Sequence, residues 1–286
     1  MLVAEGWKEY ELIDAGDGEK LERWSNYILR RPDPQIIWPK KQRELWDKAD
    51  GHYHRSQSGG GRWEFNTKLP ERWDISYNNL SFYIEPTGFK HTGLFPEQAV
   101  NWEWIINKIR SASQPVNVLN LFAYTGGATV AAASAGAEVC HVDAAKGMVQ
   151  RAKENLKLSG LGEKTVRFIT DDVVKFVQRE ARRGKRYEGI IMDPPSYGRG
   201  PKGEIWKIEE ELYKLVELSL DVLSDKPVFF LINSYTTGLS PTVVSNILSL
   251  TVKKKYGGHV SCGEVGLPIK SSGLVLPSGI YGRWED

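Results

Sequence analysis

The segment NLFAYTGGATVAAASAG, residues 120–136, joins an apolar strand to an alanine-rich helix through a Tyr-Thr-Gly-Gly turn. Two adjacent glycines remove side-chain bulk where the strand meets the helix, and they permit backbone conformations that other residues adopt only at a cost. The N–H groups at the start of a helix can also bind a ligand. The turn therefore predicts a strand–glycine–helix unit with a ligand lying against its backbone.

Strand and helix signals alternate along the chain on both sides of this turn. The predicted strands are residues 116–122, 138–143, 165–170, 188–193 and 227–233. Stretches with helical periodicity precede the first strand, at 96–110, and follow each of the five. Short strands separated by helical crossovers predict an α/β fold with a parallel sheet covered on both faces. The carboxyl ends of such strands share one edge, which is where ligands bind.

The first 90 residues have a different composition. Six of the ten tryptophans lie there, and the strongest period-two run is residues 80–84. We interpret residues 1–90 as a small β-rich N-terminal subdomain and residues 91–286 as a separate α/β domain. The tryptophans are interpreted as local core. The alternative is a set of stacking platforms for single-stranded RNA, because basic residues are interleaved with them, at Arg30, Arg31, Lys40, Lys41 and Arg43.

Overall composition excludes several classes of protein. The chain has 41% hydrophobic residues, and its 38 basic and 36 acidic residues nearly balance, so it lacks the global charge signature of a polyanion-binding protein. Two cysteines do not make a disulfide framework and indicate a reducing compartment. No apolar run is long enough to span a membrane, and no apolar signal core is present. His52 and His54 have no matching ligand pair, so we expect a cytoplasmic protein without a metal.

Acidic residues end the two strands that follow the glycine turn. Asp143 ends the second strand, where a carboxylate can accept hydrogen bonds from a ribose diol. Asp171 and Asp172 end the third strand, where a carboxylate can meet an adenine amine. The glycine fingerprint of dinucleotide-binding proteins is missing after Gly126-Gly127, and a pyrophosphate needs that fingerprint. The pattern therefore favours S-adenosylmethionine (SAM) over NAD as the ligand.

The fourth strand ends in Asp193-Pro194-Pro195. Proline cannot continue a central ladder, so the strand stops there, and the two prolines stiffen the turn. They also remove two backbone donors and leave carbonyl groups and the Asp193 carboxylate as acceptors. A rigid set of acceptors suits a planar N–H or N–H₂ group that must be held in line with a methyl donor.

Four of these segments resemble the class I SAM-dependent methyltransferases: NLFAYTGG, HVDAAKGMVQRAKENLKLSG, TDDVVKFV and MDPPSYGRG. More narrowly, they resemble the bacterial 23S rRNA base methyltransferase group and its relatives. The segments FKHTGLFPEQAVNWEW and LPSGIYGRW are similar to that group as well, so that the resemblance covers about residues 85–286. It implies a Rossmann-like sheet that is mostly parallel with an antiparallel last strand, SAM as the cofactor, and RNA, preferably rRNA, as the partner.

The resemblance also implies roles for individual residues. Asp193, Pro194 and Asn233 would be catalytic, with Asp193 beside the methyl group. Thr92, Phe95 and Gln98 would close over the cofactor. The other cofactor contacts would come from Phe122, Tyr124, Thr125, Gly126, Gly127, Asp143, Ala144, Asp171, Asp172 and Asp193.

Methylation at C5 of a pyrimidine needs a cysteine nucleophile, which family members of that type carry after the strand that follows the Asp-Pro-Pro turn. This chain has Asn233-Ser234 there, and Cys140 and Cys262 are interpreted as core residues. We therefore expect methylation of a nitrogen or hydroxyl, without a covalent enzyme adduct. Two alternatives stay open at this point: a methyltransferase acting on a small molecule or protein, and a non-catalytic RNA-binding relative.

Overall fold

Strands and helices alternate from residue 99 to residue 256, as the sequence pattern predicts. The computed structural model describes residues 1–41, 43–56, 60–88, 90–199 and 205–286. Phe89, which begins one of the segments that resemble the methyltransferases, and Gly200, which ends another, lie outside the described residues. The described chain forms two units: the N-terminal unit is 3–99 with 266–277, and the α/β unit is 1–2, 100–265 and 278–286.

The N-terminal unit is richer in strands than the sequence indicated. Its strands and helix are β1 Leu2–Val3 (which begins in the α/β unit), β2 Tyr10–Gly16, β3 Glu19–Trp24, β4 Tyr27–Pro32, α1 Arg43–Trp46, β5 Gly51–Arg55, β6 Gly61–Phe65, β7 Trp73–Tyr77 and β8 Leu80–Ile84. Among the described residues, β2 to β6 form one sheet in sequence order, and β7 pairs with β8 in a separate hairpin. Only β8 had a clear period-two pattern. His52 and His54 lie in β5, where they contact Glu19 and Glu64.

The α/β unit contains the predicted crossovers. Its helices are α2 Ala99–Ser111, α3 Gly127–Ser134, α4 Lys146–Leu158, α5 Val173–Arg182, α6 Ile208–Ser219, α7 Pro241–Leu248 and α8 Lys254–Tyr256, with a π-helical turn at Ser249–Lys253. The 3₁₀ turn at Pro96–Gln98 belongs to the N-terminal unit. Its strands are β9 Asn117–Leu121, β10 Glu138–Asp143, β11 Val166–Thr170, β12 Gly189–Met192, β13 Tyr197–Arg199, β14 Ile205–Lys207, β15 Phe229–Ser234, β16 His259–Pro268 and β17 Val275–Glu285. None of the helices within the described ranges has the length and apolar character needed to cross a membrane.

The main sheet has the strand order β1-β16-β17-β15-β12-β9-β10-β11 across the described chain. The pairs formed by β15, β12, β9, β10 and β11 are all parallel. The last strand, β17, lies between β15 and β16 and runs antiparallel to β15. The expected Rossmann-like sheet with an antiparallel last strand is therefore confirmed.

The core lies on both faces of the sheet, because the central strands β12 and β15 are buried along their whole length. On one face, strand residues such as Met192 and Ile232 pack against α5, α6 and α7. On the other face, Trp104 of α2 makes an edge contact with Phe229, with 5.5 Å between ring centroids. A strand buried on both faces reads as a continuous apolar run, which explains why these strands were predicted correctly.

Three hydrogen-bonded polar side chains, Asn120, Thr129 and His141, are buried on this second face of the sheet. The amide of Asn120 on β9 donates to the Thr129 hydroxyl on α3 at 2.9 Å, and that hydroxyl lies 2.9 Å from Nδ1 of His141 on β10. His141 is fully buried, and its Nε2 has no hydrogen-bond partner among the described residues. Burial lowers the pKa of His141 to about 3, so the imidazole is neutral in the folded protein at neutral pH.

This depressed pKa predicts a specific loss of stability in acid. An imidazole in the unfolded chain has a pKa of about 6.5 and binds a proton more readily than the folded one. Its contribution to stability is therefore complete above pH 6.5 and is lost as the pH falls towards 3. At pH 5 we expect a loss of about 2 kcal/mol from this residue. Urea unfolding at pH 7 and pH 5 should show a smaller difference for His141→Gln than for the wild type, and equal differences would contradict the assignment.

Candidate active site at the carboxyl edge of the sheet

Four of the predicted site residues lie side by side at the carboxyl ends of four neighbouring strands: Asp143, Phe122, Asp193 and Asn233. The register pairs the preceding residue of each strand across the sheet: Val142 with Leu121, Leu121 with Met192, and Met192 with Ile232. Adjacent strands are about 4.8 Å apart, so these four positions form one transverse row. We call this row, Asp143–Phe122–Asp193–Asn233, the edge row.

The carboxylate of Asp143 joins two strand-to-helix loops. One oxygen accepts a hydrogen bond from the N–H of Tyr124 at 2.9 Å, and the other accepts from the N–H of Ala145 at 2.8 Å. Burial raises the pKa of the Asp143 carboxyl, and the two backbone hydrogen bonds oppose that shift. Ala144, between the two loops' contacts, is exposed. Each Asp143 oxygen can accept a further hydrogen bond, since a carboxylate has about four acceptor sites.

The glycine-containing turn has an unusual backbone. Phe122, Tyr124 and Gly126 have φ angles of 53°, 50° and 85°, in the left-handed region. Non-glycine residues in this region cost about 1–3 kcal/mol each, and they persist only where the surroundings enforce them. Asn155 of α4 helps to enforce this turn, because its buried amide donates to the carbonyl of Thr125 at 2.8 Å.

The protein's own side chains lie against the two glycines. A Cβ atom on Gly126 would be 2.8 Å from the Ala152 Cβ on α4, and one on Gly127 would be 2.9 Å from the Trp102 ring on α2. The glycines are thus required by helix packing, whatever ligand binds beside them. Helix α3 begins at Gly127, and no side chain caps it.

Asp171 and Asp172 both have structural partners. Asp172 is the N-cap of α5, and its side chain accepts from the Lys175 N–H at 2.9 Å. Asp171 accepts from the Asp172 N–H at 2.8 Å and forms an ion pair with Arg179. These contacts hold the loop after β11, and the role of the two carboxylates towards adenine stays a prediction.

The Asp-Pro-Pro turn is braced by a residue that the sequence did not single out. Trp206 on β14 donates its indole N–H to the Pro195 carbonyl at 2.7 Å. The same ring packs against Phe122 of the edge row, with 5.1 Å between centroids. Pro194 is buried. The sequence gave no signal of the bracing role of Trp206, because it is a lone tryptophan before a helix.

Asn233 is the last residue of a buried hydrogen-bonded chain, which the sequence did not indicate. Its Oδ1 accepts from the Asn101 amide of α2 at 2.9 Å, and Asn101 Oδ1 accepts from the Arg283 guanidinium of β17. The two cysteines lie elsewhere in the strands. Cys140 is buried in β10, where burial raises the pKa of its thiol, and Cys262 is half-buried in β16.

The three residues expected to close over the cofactor belong to the N-terminal unit. The Thr92 carbonyl accepts from the Glu85 N–H at 2.9 Å, and the Phe95 carbonyl accepts from the Gln98 N–H at 3.0 Å. Thr92 and Gln98 are buried, and Phe95 is half-buried. Their role towards the cofactor stays a prediction.

Comparison with known proteins places the chain among methyltransferases. A sequence model of the S-adenosylmethionine-dependent methyltransferases matches residues 45–222. A crystal structure of a SAM-dependent methyltransferase from Agrobacterium tumefaciens has a TM-score of 0.94 and 38% sequence identity, and the match covers 99% of this chain and 92% of that chain.

Curated relatives include enzymes named for ribosomal RNA. Ribosomal RNA large subunit methyltransferase K of Neisseria meningitidis serogroup B is 25% identical over 80% of this chain and 67% of its own length. Ribosomal RNA large subunit methyltransferase K/L of Syntrophotalea carbinolica is 27% identical over 71% of this chain. The match covers only 28% of that second relative's length.

The packing of the glycine turn predicts the effect of Gly126→Ala. Gly126 and Gly184 both have positive φ angles, but a Cβ on Gly184 would meet nothing within 4 Å. Gly184→Ala should therefore cost only the conformational penalty, about 1 kcal/mol, whereas Gly126→Ala should cost a further 1–3 kcal/mol or so from overpacking against Ala152. Urea unfolding measures both, and Ala152→Gly should recover part of the loss in the Gly126→Ala background. Equal costs for the two glycines would refute the packing argument.

Proposed function

Because the chain belongs to the family of S-adenosylmethionine-dependent methyltransferases, we propose that it methylates a nitrogen or hydroxyl of an RNA base or nucleotide, preferably in rRNA, without a cysteine nucleophile. The observation that carries this proposal is the edge row, in which an acidic residue for the cofactor and a polar pair for the acceptor lie on adjacent strand ends. The names of the related rRNA large subunit methyltransferases support rRNA as the substrate class.

The chemistry of the donor set at this edge fits SAM. An adenosine carrying an amino acid needs a carboxylate for its ribose diol, hydrogen-bond acceptors for its amines and N–H donors for its carboxylate. Asp143 supplies a carboxylate at the end of β10, and Asp171 and Asp172 supply acceptors after β11. The start of α3, which has no side-chain cap, supplies N–H groups. When bound, SAM supplies an electrophilic methyl group.

Asp143 has a double role in this proposal. Its carboxylate already holds Tyr124 and Ala145 in place, so a ribose bound to it would be positioned relative to both loops. Burial takes the Asp143 carboxylate partly out of water, which raises its pKa. Additional hydrogen bonds to the carboxylate are therefore favourable. Cofactor binding would therefore reinforce contacts that exist in the protein alone.

The acceptor half of the site is Asp193 with the Asp-Pro-Pro turn and Asn233. In this proposal Asp193 accepts a hydrogen bond from the N–H of the group that becomes methylated, and it stabilises the positive charge that develops there. Trp206 fixes the turn through the Pro195 carbonyl, so the acceptors are held in position before substrate binds. Preorganised polar groups of this kind are an effective means of transition-state stabilisation.

No cysteine is placed to act as a nucleophile in this proposal. The end of β15 carries Asn233-Ser234, and the Cys140 thiol is bound by the Arg167 guanidinium at 3.3 Å in the middle of β10. A nitrogen or hydroxyl already has a lone pair, so orientation, exclusion of water and removal of its proton are sufficient.

A small-molecule or protein substrate is the second candidate, because the chain has only a small net charge of +2. Proteins that bind RNA through many phosphate contacts lose affinity steeply with salt. A shallow salt dependence of RNA binding would favour this second candidate.

The direct test is transfer of a radiolabelled methyl group from SAM. The enzyme is incubated with the RNA, protein and small-molecule fractions of a strain that lacks it. The proposal requires label in RNA, concentrated in rRNA, and label in another fraction alone would overturn it.

Asp143→Ala should weaken SAM binding. The substitution removes the proposed ribose contacts and also frees two loop N–H groups, so the affinity should fall at least about tenfold. Isothermal titration calorimetry measures the affinity, with the exposed Asp221→Ala in the same unit as a control that should bind normally. Unchanged affinity in Asp143→Ala would remove Asp143 from the cofactor site.

Asp193→Ala should affect turnover more than binding. An interaction that strengthens in the transition state lowers the rate when it is lost, while SAM affinity should stay within a few-fold. We expect turnover to fall about a hundredfold or more. Asp193→Asn keeps the shape and one acceptor oxygen, so its turnover should lie between those of the wild type and Asp193→Ala. Normal turnover of Asp193→Ala on the substrate found by methyl transfer would mean that the turn only ends the strand.

A further inference from the structure

Three buried side chains form a polar chain that ends in the edge row. Asn233 Oδ1 accepts from Asn101 Nδ2 at 2.9 Å, and Asn101 Oδ1 accepts from Arg283 Nε at 3.0 Å and Nη2 at 2.6 Å. The exposed fractions of Asn101, Asn233 and Arg283 are 0%, 4% and 9%. The chain connects α2, β15 and β17 and lies wholly within the α/β unit.

The chemistry of arginine determines the orientation of both amides. A guanidinium only donates hydrogen bonds, so the Asn101 atom that faces Arg283 must be the oxygen. The nitrogen of Asn101 then faces Asn233, and the Asn233 atom that meets it must again be an oxygen. The Asn233 amide is therefore left with its N–H₂ group on the other side. This assignment follows from donor and acceptor types, which settle the amide orientations that geometry alone leaves ambiguous.

Several contacts fix the Arg283 guanidinium, so that it can set the orientation of the Asn101 and Asn233 amides. Its guanidinium lies 4.8 Å from the ring centroids of both Trp104 and Tyr281, and its Nη2 also donates to the Val100 carbonyl at 2.9 Å. No carboxylate forms an ion pair with Arg283 within the described part of the chain. Burial lowers the pKa of Arg283 to about 10, and the side chain remains a cation at neutral pH.

The Asn233 N–H₂ group lies next to the proposed hydrogen-bond acceptor of the site. Met192 pairs with Ile232, so the following residues, Asp193 and Asn233, end adjacent parallel strands. The Asn233 nitrogen has no protein partner among the described residues, although its oxygen does. The edge row thus presents a donor on one strand end beside an acceptor on the next.

We infer that Arg283 is a positioning residue that, through Asn101, locks the Asn233 amide as a hydrogen-bond donor towards the methyl acceptor. This inference rests on the proposed function. The site then recognises an amide-like or amidine-like edge, in which a carbonyl oxygen or unprotonated ring nitrogen lies beside the N–H that Asp193 accepts. A ribose hydroxyl does not offer this pair of groups side by side, so the base edge is the part of the nucleotide that the site reads.

Asn101→Asp tests the inference without changing a residue of the edge row. One oxygen of the new carboxylate would keep the contact with Arg283, and the other would face Asn233. Since a carboxylate cannot donate, Asn233 would have to turn its N–H₂ group towards Asp and present its oxygen to the substrate. If Asn101 has only a structural role, Asn101→Asp should keep its activity. The buried guanidinium gains a countercharge, so the fold should tolerate the change.

The measurements are methyl transfer to the RNA fraction of a strain that lacks the enzyme, SAM affinity by calorimetry, and thermal unfolding. Asn101→Asp should lower kcat/KM for RNA at least about tenfold, while SAM affinity stays within about twofold and the unfolding temperature is retained. Asn233→Asp removes the donor directly, so it should lower kcat/KM by as much as Asn101→Asp does. The control is Asn107→Asp, the same change at an exposed position of α2, which should behave as wild type.

Two further variants separate positioning from packing. Arg283→Lys keeps a group that only donates, so it should retain more of kcat/KM than Arg283→Met, which leaves both amides free to turn. Wild-type kcat/KM in Asn101→Asp would overturn the inference, as would an equal loss of SAM affinity. If Asn101→Asp does not fold, full activity of Asn233→Asp overturns it instead. Failure of the wild-type enzyme to label RNA would contradict the proposed function itself, and is recognised before any variant is measured.

Discussion

The carboxylate of Asp143 holds together the two loops on which the candidate site is built. It accepts one backbone N–H from the loop after β9 and one from the loop after β10. Parallel strands bring these loops to the same edge, but they do not by themselves set the distance between them. A half-buried carboxylate with two charge-assisted hydrogen bonds does so, although its burial raises its pKa.

The turn beside Asp143 is shaped by the packing of helices as much as by any ligand. Left-handed backbone at Phe122, Tyr124 and Gly126 lets the chain leave β9 and enter α3 within a few residues. Ala152 and Trp102 fill the space beside the glycines, which brings α4 and α2 close to the turn. A site formed in this way is rigid before the cofactor binds, because moving it would require moving two helices. Rigidity of this kind favours precise alignment of a methyl donor and an acceptor.

The two halves of the edge row differ in how they are supported. The proposed cofactor half relies on backbone N–H groups and a carboxylate, and the proposed acceptor half relies on side chains braced from outside the row. Trp206 holds the Asp-Pro-Pro turn, and Arg283 orders the amides that lead to Asn233. Both bracing residues follow β12 in the sequence, so the later part of the chain sets the acceptor half. Differences in these residues between related enzymes would be expected to change the substrate more than the cofactor.

The sequence by itself predicted the alternating strands and helices of the α/β unit and the identity of its cofactor, and it indicated the sheet edge at which we propose that the cofactor binds. Local signals were enough for these features, because strands buried on both faces are continuously apolar and because glycine, proline and terminal aspartates mark the turns. The five-stranded sheet of the N-terminal unit was not predicted beyond its general β-rich character, since most of its strands lack a clear alternation. The tertiary structure alone revealed the partners of Asp143, the bracing by Trp206, and the chain from Arg283 through Asn101 to Asn233. Asn101 and Arg283 are far apart in the sequence, and the order of donors and acceptors between them exists only when β17 inserts beside β15.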